Sequence, residues 1–366
     1  MVSMKIEKIK LRQFRNLNQV ELEFKNNLNI LVGNNGQGKT NFIESIVYLS
    51  SGRSFRLGND LGLLEDSKGF ARVDALLKRK EETYQLQAVI SNQGKYFEVN
   101  QKACSLMSDF IGYCNVVLFN PDDLQFFSNT PKKRRREIDF ELGKMSKMYM
   151  HRLSQASKIL SERNAYLKTH TIDTDYLSIL TESLIEESEY IIKSRQAMIK
   201  KLEPIVDEKY KFLSGSQASI ELEYRSTCTN MENIKDDLRG KMNQSLQRDL
   251  DFKMTHVGIH RDDFVFKMNG NMVVDVASQG QKRLIILAYK LALVDMIVAK
   301  DHEFPILCLD DLFSELDKEK RAMVLKTLDP RMQVFVTTTD VEFVSQKEDV
   351  SVFTVVQGRI NEEVSA

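Results

Sequence analysis

A glycine-rich loop between a strand and a helix most constrains how this chain can fold. The loop consists of Gly33, Asn34, Asn35, Gly36, Gln37, Gly38, Lys39 and Thr40, and it matches the pattern GxxxxGK(S/T) in full. A mostly apolar run, 28–32, precedes the loop, and residues 41–50 carry the apolar spacing of a helix. The glycines let the backbone fold around a phosphate, so that N–H groups and the helix N-terminus face the anion. These features predict a site for nucleotide phosphates.

Two side chains of the loop are expected to act on the nucleotide. Lys39 would reach the β- and γ-phosphates, and the hydroxyl of Thr40 would bind Mg²⁺. Asn41, the first residue after the loop, is included among the nucleotide-binding residues. ATP and Mg²⁺ are therefore the predicted cofactors.

A second stretch, far along the chain, supplies the carboxylates that such a site needs. The apolar run 305–309 ends in Asp310 and Asp311. Asp310 fits the acid that supports Mg²⁺ together with Thr40, and Asp311 fits the group that polarises the attacking water. An acidic strand end is common by itself, but together with the loop it makes a site. We predict Lys39, Asp310 and Asp311 as the catalytic residues.

The interval between these two stretches carries helical patterns. From Ile138 onwards, apolar residues recur in steps of three and four, which predicts one stripe on a long helix. Between Leu177 and Ile205 they recur every seven residues, which is typical of a seam between helices. Pro204 should kink or stop that second helix.

These patterns predict how the chain is divided. We expect an α/β fold in which 1–120 and 256–366 form one nucleotide-binding head and 121–255 forms an inserted, mostly helical arm. Ordinary core helices of an all-α domain are the alternative for the arm.

Four residues at the start of a strongly apolar helix form a second candidate phosphate site: Ser278, Gln279, Gly280 and Gln281. One domain has little use for two such sites on the same nucleotide. Two chains packed head to tail would each supply this turn to the ATP of the other. The alternative is a capped helix start with Ser278 as the N-cap.

Charge limits how the chain could hold DNA. Lys and Arg total 52, as do Asp and Glu, so no global positive field exists and any nucleic-acid contact must be a local patch. The densest positive run is Lys132, Lys133, Arg134, Arg135 and Arg136. It could bind DNA phosphates, or it could be a solvated or packed helix face.

Other sequence features bear on the compartment. The four cysteines show no pairing or zinc spacing, which favours a reducing environment. The N-terminus lacks the apolar region of a signal peptide, and no apolar run approaches the ~20 residues of a membrane-spanning helix. We expect a cytoplasmic protein without a membrane partner.

Together, these motifs resemble the ABC ATPase superfamily in its SMC and RecF branch, and most closely the RecF family. The blocks that carry the likeness are LRQFRN (11–16), the 33–40 loop, FNPDDL (119–124), RRR (134–136), HRDD (260–263), 277–283 and LDDLFSELD (309–317). They extend over the whole chain. The last two blocks and HRDD are the most specific.

The resemblance implies a function and further site residues. It implies an ATP-dependent homodimer in which Ser278, Gly280 and Gln281 act on the partner's γ-phosphate. It also implies a D-loop at 314–317, a Q-loop-like segment at 120–125, and an arginine, Arg12, close to the nucleotide. Such a dimer would bind gapped DNA and single-strand/double-strand junctions, hydrolyse ATP slowly, and assist recombinase loading with RecO and RecR.

Three departures from the family pattern qualify this interpretation. Asp311 stands where transporter-type enzymes have a glutamate, which predicts slow hydrolysis and leaves its role as a base open. Residues 337–340 read TTTD where a histidine often follows the strand, and a hydroxyl can hydrogen-bond but cannot take up a proton. The arginine block continues as Glu-Ile-Asp, 137–139, where the family usually has Phe-Leu-Asp.

Two other classes share the nucleotide site. The energising subunit of a membrane transporter uses a small helical insertion to grip a membrane protein, and the insertion here is too long for that. A chromosome-structural protein of SMC type needs a far longer heptad arm than this chain contains.

Overall fold

The structure is a computed structural model and describes residues 2–64, 69–340 and 350–363. The chain divides into two compact units. Unit 1 comprises Met1–Asp123, Phe212–Gly215 and Ile286–Ala366, and unit 2 comprises Leu124–Lys211 and Ser216–Ile285.

The described part of the chain contains both strands and helices. The strands are β1 (Val2–Ser3), β2 (Lys5–Phe14), β3 (Leu17–Glu23), β4 (Leu28–Val32), β5 (Phe70–Arg79), β6 (Glu82–Ser91), β7 (Gly94–Val99), β8 (Lys102–Ala103), β9 (Val116–Phe119), β10 (Ile220–Arg225), β11 (Asp263–Met268), β12 (Asn271–Met272), β13 (Glu303–Phe304), β14 (Ile306–Leu309), β15 (Val334–Thr338), β16 (Val350–Val356) and β17 (Arg359–Glu363). The α-helices are α1 (Lys39–Ser51), α2 (Met107–Phe110), α3 (Pro131–Met145), α4 (Lys147–Tyr166), α5 (Thr174–Ser214), α6 (Ile234–Gln244), α7 (Leu246–Phe252), α8 (Val273–Val276), α9 (Gln279–Asp301) and α10 (Lys318–Thr327). Short 3-10 helices span Asp60–Leu63, Pro121–Phe127 and Phe313–Glu315. The mixed α/β class predicted from the sequence is therefore confirmed.

Unit 1 contains a six-stranded, mostly parallel sheet in the order β17-β16-β4-β15-β14-β9. Only β17 runs antiparallel to its described neighbour. β14 and β15 are buried along their whole length, as expected of central strands covered on both faces. The carboxyl ends of parallel strands meet at one edge, so the segments that follow β4, β15, β14 and β9 lie along the same edge.

A second six-stranded sheet of unit 1 is antiparallel, in the order β3-β2-β5-β6-β7-β8. Val20, Leu22 and Phe24 are buried and alternate with exposed Glu21 and Glu23, as in a strand with one face toward the core and the other toward solvent. A tight turn at 91–94 joins β6 to β7. Nearly every residue of α1 is buried because this helix contacts strands of both sheets.

Unit 2 is mostly helical and carries the three-stranded antiparallel sheet β10-β11-β12. The heptad positions Leu177, Leu184, Ile191 and Met198 are buried on α5, as a packing seam requires. Pro204 lies inside α5 and does not stop it, because the helix continues to Ser214.

The long helix predicted from Ile138 onwards is two helices. Ser146 lies between α3 and α4 with φ −145° and ψ 108°, outside the helical region. Its hydroxyl accepts a hydrogen bond from the N–H of Tyr149, which begins a new helix. The cap at Ser146 therefore ends one helix and begins another, although the apolar spacing continues through this point without a break.

The boundaries of the two units differ from the predicted 121–255 arm at its far end. Residues 256–285 group with unit 2, because β11 pairs along its whole length with β10. The first boundary, after Asp123, is close to the predicted one. Over the described residues, no helix has the length and apolar character needed to cross a membrane.

Candidate nucleotide site

The 33–40 loop connects β4 to α1 at the carboxyl edge of the parallel sheet. Gly38 caps α1 with φ +117°, a conformation that residues with a side chain rarely adopt. At Gly33 a Cβ atom would lie 2.4 Å from the carbonyl oxygen of Val355, so only glycine fits there. The two ends of the loop therefore require glycine for different reasons.

The ammonium group of Lys39 lies within the loop. Its Nζ donates to the carbonyl oxygens of Gly33 at 2.6 Å and Asn34 at 3.0 Å. Burial lowers the pKa of Lys39 below its usual value, and the negative charges of Asp311 and Asp310 oppose that shift. The cation is thus fixed where a phosphate bound by the loop would meet it.

Asp310, at the end of β14, joins the two distant stretches of the chain. Its Oδ1 accepts hydrogen bonds from Thr40 Oγ1 at 3.1 Å and from Thr337 Oγ1 at 2.7 Å. The carboxyl is buried, and burial raises its pKa, an effect that the charge of Asp311 increases and the two hydroxyl donors oppose. A buried carboxylate of this kind favours a cation beside it.

Asp311 has a strained but tolerated backbone. Its φ is +52°, in the left-handed region that aspartate and asparagine adopt more readily than other side chains. Its N–H donates to Thr337 Oγ1 at 2.9 Å, and its Oδ1 accepts from Ser314 Oγ at 2.6 Å. Thr337 therefore holds both aspartates, and Ser314 orients the second carboxylate.

The residues at this point fit Mg²⁺. The hydroxyl of Thr40 and the buried carboxylate of Asp310 are hard oxygen donors that already converge. Within the described residues, no group of three or more His, Cys, Asp or Glu side chains could hold a metal ion. Mg²⁺ sites commonly use one or two protein ligands plus nucleotide phosphates.

A chain of polar side chains supports the loop from the turn between β2 and β3, from α1 and from the segment after α1. Asn16 Nδ2 donates to the carbonyl oxygen of Gln37 at 3.3 Å, and Asn41 Nδ2 donates to Asn16 Oδ1 at 2.8 Å. Arg56 Nη1 donates to Asn41 Oδ1 at 2.9 Å. The predicted residue Asn41 therefore holds Asn16, whose role the sequence analysis missed although it ends the LRQFRN block.

Arg12, which the resemblance places close to the nucleotide, lies on β2. It is exposed on β2, where it pairs with Gln19 of β3 and Arg72 of β5. Among the described residues, no hydrogen bond or ion pair joins Arg12 to the loop.

The C-terminal hairpin also touches the loop. The N–H of Gly358 donates to the carbonyl oxygen of Gln37 at 2.9 Å, and the N–H of Gln357 donates to Gln37 Oε1 at 2.6 Å. A cleft of about 420 Å³ lies between the loop, Thr339 and this hairpin. No sequence motif indicates this support, because it depends on β16 pairing with β4.

The candidate signature turn lies in unit 2. Ser278 and Gln281 form a reciprocal cap at the start of α9: the N–H of Ser278 donates to Gln281 Oε1 at 2.8 Å, and the N–H of Gln281 donates to Ser278 Oγ at 3.2 Å. The capped start is therefore real. Ser278, Gln279 and Gly280 are also exposed, so the turn stays accessible to a partner.

The 132–136 run separates into two sets. Arg134 pairs with Asp263, and Arg135 donates to the carbonyl oxygen of Asp262. Lys132, Lys133 and Arg136 are exposed. The packed alternative is thus favoured for two of the five residues, and the other three remain DNA candidates.

The HRDD block stabilises unit 2. Asp262 is buried, pairs with Arg195 at 2.8 Å and accepts a hydrogen bond from Tyr224 Oη at 2.5 Å. Burial lowers the pKa of His260 to about 4, so this histidine is neutral near pH 7. These contacts support a structural role for the block.

The two segments implied by the resemblance, 120–125 and 314–317, each overlap a short 3-10 helix. Residues 120–125 overlap the 3-10 helix Pro121–Phe127. Just before this helix, the N–H of Asn120 donates to Asp123 Oδ2 at 2.9 Å. In the D-loop segment, Asp317 caps α10. Ser314 is exposed and bonds to Asp311, as described above.

Comparison with known proteins agrees with this geometry. Residues 5–362 match the family described as RecF/RecN/SMC N terminal domain. The chain is 37% identical over 361 residues to the DNA replication and repair protein RecF of Streptococcus suis (strain 05ZYH33). The aligned region covers 98% of this chain and 99% of that protein. It is 36% identical over 369 residues to the protein of the same name from Enterococcus faecalis (strain ATCC 700802 / V583), with 98% of each covered.

Solved structures give the same result. The structure of the recombination mediator protein RecF-ATP in the RecFOR pathway has a TM-score of 0.91 and 30% identity, covering 99% of this chain and 100% of that one. An Smc head domain from Pyrococcus furiosus has a TM-score of 0.58 at 17% identity and supports the fold alone. The comparisons favour the repair family over the transporter alternative.

Proposed function

Because the chain belongs to the RecF family, we propose that it is an ATP-dependent DNA-binding protein of recombinational repair. In this proposal, ATP drives two copies together on gapped DNA or on single-strand/double-strand junctions. Slow ATP hydrolysis then opens the dimer. The dimer then assists recombinase loading together with RecO and RecR. Support for these partners comes from the RecF-ATP relative, which is described as part of the RecFOR pathway.

One observation carries the nucleotide part of this proposal. Thr40 and Asp310 lie 270 residues apart in sequence, and yet the hydroxyl of one donates to the carboxylate of the other at 3.1 Å. Lys39 is held in the adjoining loop by two carbonyl oxygens. This is the arrangement that an ATP site with Mg²⁺ needs, with a cation for the phosphates and oxygen ligands for the metal.

Each residue then has a distinct role. The loop amides and Lys39 would bind the phosphates, and Thr40 and Asp310 would hold Mg²⁺, which supplies charge neutralisation when bound. Asp311 would accept a proton from the attacking water, with its carboxylate held by Ser314. A carboxylate one methylene shorter than glutamate reaches less far, which supports slow, timer-like hydrolysis.

The geometry of the signature turn supports the dimer. Beyond its chain neighbours and its own helix backbone, no described atom lies within 4 Å of a Cβ built on Gly280, so packing against the described residues does not require glycine there. The N–H of Gln281 is already bonded to Ser278 Oγ, and the N–H groups of Gln279 and Gly280 occupy the first-turn positions that favour an anion. Val274 and Val276 are exposed just before the turn, as expected of a surface that a second copy covers.

Three measurements test the proposal. Gel filtration with and without Mg-ATP should show a monomer converting to a dimer, and binding to gapped DNA should depend on ATP. Lys39→Arg should abolish DNA-stimulated turnover, because a planar guanidinium cannot replace a compact ammonium within the loop. An unchanged monomer under both conditions would refute the dimer.

A further inference from the structure

A basic groove lies on unit 1 at the amino ends of β4 and β15. It is lined by Lys5, Lys25, Lys78, Lys80 and Arg331, has a volume of about 410 Å³, and is named here the lysine groove. Asn27, which directly precedes β4, also lines it, whereas the phosphate loop follows the other end of β4. Five residues of strand span about 17 Å, so the groove is distinct from the nucleotide site.

The lysines of the groove carry positive charge without close ionic partners among the described residues. The ammonium groups of its four lysines form no ion pair or hydrogen bond with any residue that the structure describes. Lysines elsewhere on β2 differ, because Lys8 and Lys10 both pair with Glu21. Among the described residues, Arg331 of the groove forms an ion pair with Asp329, and Lys25 interacts electrostatically with Glu23 without forming an ion pair. Glu7 is the single acidic side chain among the described lining residues.

Two of the lysines oppose each other directly. Lys5 of β2 pairs in register with Lys78 of β5, so both side chains are on the same face of the sheet. Like charges placed directly opposite are destabilising. Lysines on edge strands can prevent aggregation, but β2 and β5 are both interior strands of their sheet. An anion bound between the two ammonium groups would remove the repulsion.

Lys80 is presented by a fixed turn. It has φ +54° in the tight connection between β5 and β6, a conformation unfavourable for lysine. Its N–H donates to Glu303 Oε1 at 3.2 Å, and Glu303 also pairs with Arg79 at 2.7 Å. A buried carboxylate thus anchors the backbone from which this third lysine extends.

We propose that the lysine groove binds the phosphate backbone of DNA. This inference rests on the proposed DNA-binding function and adds a location for the contact. A chain without net charge needs a local patch for DNA, and two of the five cations in the 132–136 run are engaged within unit 2. Lysine binds phosphate as a point charge and does not read sequence, which suits a protein that recognises DNA structure.

An acidic protein segment fits the groove less well. Peptide recognition commonly adds apolar pockets or an open strand edge to charge. Of the two apolar side chains among the described lining residues, Val2 is exposed and Phe24 is buried, so a single apolar side chain is open to a peptide. Charge is therefore the main property with which it could recognise a partner.

The test compares two double variants with equal loss of charge. Lys5→Ala/Lys78→Ala should weaken binding to gapped duplex DNA in Mg-ATP by about tenfold. The slope of log affinity against log salt should become shallower by about 1–2, since each duplex phosphate contact contributes roughly 0.9. Lys102→Ala/Lys168→Ala removes two exposed lysines outside the groove and should change neither quantity. ATP turnover without DNA should be unchanged in both.

A second variant separates binding from folding. Lys78→Glu places a carboxylate opposite Lys5, so the cross-strand pair becomes attractive. Its thermal midpoint should equal or exceed that of the unmodified protein, most clearly at low salt. Its DNA affinity should fall further than that of the alanine double variant.

The outcomes distinguish this inference from the function on which it rests. If the unmodified protein binds DNA and both groove variants bind with the same affinity and salt slope, the groove proposal is overturned and DNA binding stands. If the unmodified protein does not bind DNA, the proposed function fails as well. If a hexaglutamate peptide binds the unmodified protein but not Lys78→Glu, while DNA affinity is unaffected, the groove is a site for acidic protein segments and the proposal is wrong.

Discussion

The main-chain N–H of Gly358 donates a hydrogen bond to the carbonyl oxygen of Gln37 at 2.9 Å, which joins the C-terminal hairpin to the phosphate loop. The hairpin also approaches Asn16 closely. A Cβ added to Gly358 would lie only 2.0 Å from the carbonyl oxygen of Asn16, so only glycine permits this approach. Asn16 in turn donates to the same loop carbonyl. The last strands of the chain therefore support the first functional loop.

Gly358→Ala should weaken ATP binding by about tenfold or more, because the methyl group must displace Asn16 or the hairpin. The matched control is Gly270→Ala, which has a similar positive φ in a hairpin turn but nothing within 4 Å. Both variants carry the left-handed backbone cost of about 1–2 kcal/mol. Equal ATP affinities for the two variants, measured by calorimetry, would show that the hairpin does not support the loop.

Gly280→Ala should separate stability from function. Alanine is favoured over glycine in a helix by up to about 1 kcal/mol, and nothing crowds this position, so thermal stability should be unchanged or higher. ATP-dependent dimerisation and turnover should fall, because the added methyl group would face the partner's nucleotide in the proposed dimer. Gly240→Ala, in the interior of α6 with open space around it, should raise stability without affecting turnover. Normal turnover in Gly280→Ala would argue against a role in trans.

Asp311→Asn should trap the ATP-bound dimer. Asparagine tolerates the left-handed backbone of this position, so the fold should be kept. Loss of a general base typically lowers the rate by about 10²–10⁴. Single-turnover hydrolysis and gel filtration in Mg-ATP report the two effects. Hydrolysis at the unmodified rate would mean that Asp311 is not the base.

Thr337→Val should disturb both aspartates at once. The substitution keeps the volume but removes the hydroxyl that donates to Asp310 and accepts from the N–H of Asp311. A buried polar group left without a partner costs about 1–3 kcal/mol, so the thermal midpoint and the hydrolysis rate should both fall. Thr337→Ser restores the hydroxyl and should recover most of both. If Thr337→Val has the same thermal midpoint and hydrolysis rate as the unmodified protein, the hydroxyl has no role and Thr337 contributes packing alone.

Asp310→Asn should raise stability at neutral pH while abolishing Mg-ATP hydrolysis. Burial raises the pKa of this carboxyl, so its ionised form is disfavoured in the folded protein. The folded state is therefore favoured by protonation, and its stability falls as the pH rises through the raised pKa. Thermal unfolding from pH 4 to pH 8 should show the advantage of the asparagine variant growing with pH. An advantage that stays constant with pH would contradict the assigned cause.

The sequence by itself determined the parts of this protein that depend on local chemistry. The 33–40 loop needs its glycines and Lys39 because of backbone geometry and phosphate charge, and these constraints are visible in eight consecutive residues. Alternation in β3 and the heptad seam of α5 are likewise local periodicities, so the elements they predict are present. Even the meeting of Asp310 with the loop was predictable, because both follow buried strands.

Tertiary structure decided the remainder, because it depends on which strands become neighbours. Thr337 bridges the two aspartates only since β15 lies between β4 and β14, and Gly358 reaches Gln37 only since β16 flanks β4 on its other side. Lys5 opposes Lys78 through a register that neither strand specifies alone. Arg134 and Arg135 look like free positive charge in sequence, yet Asp263 and the carbonyl of Asp262 engage them. Pairing across long sequence separations is set by the packing of the whole core, and no short pattern records it.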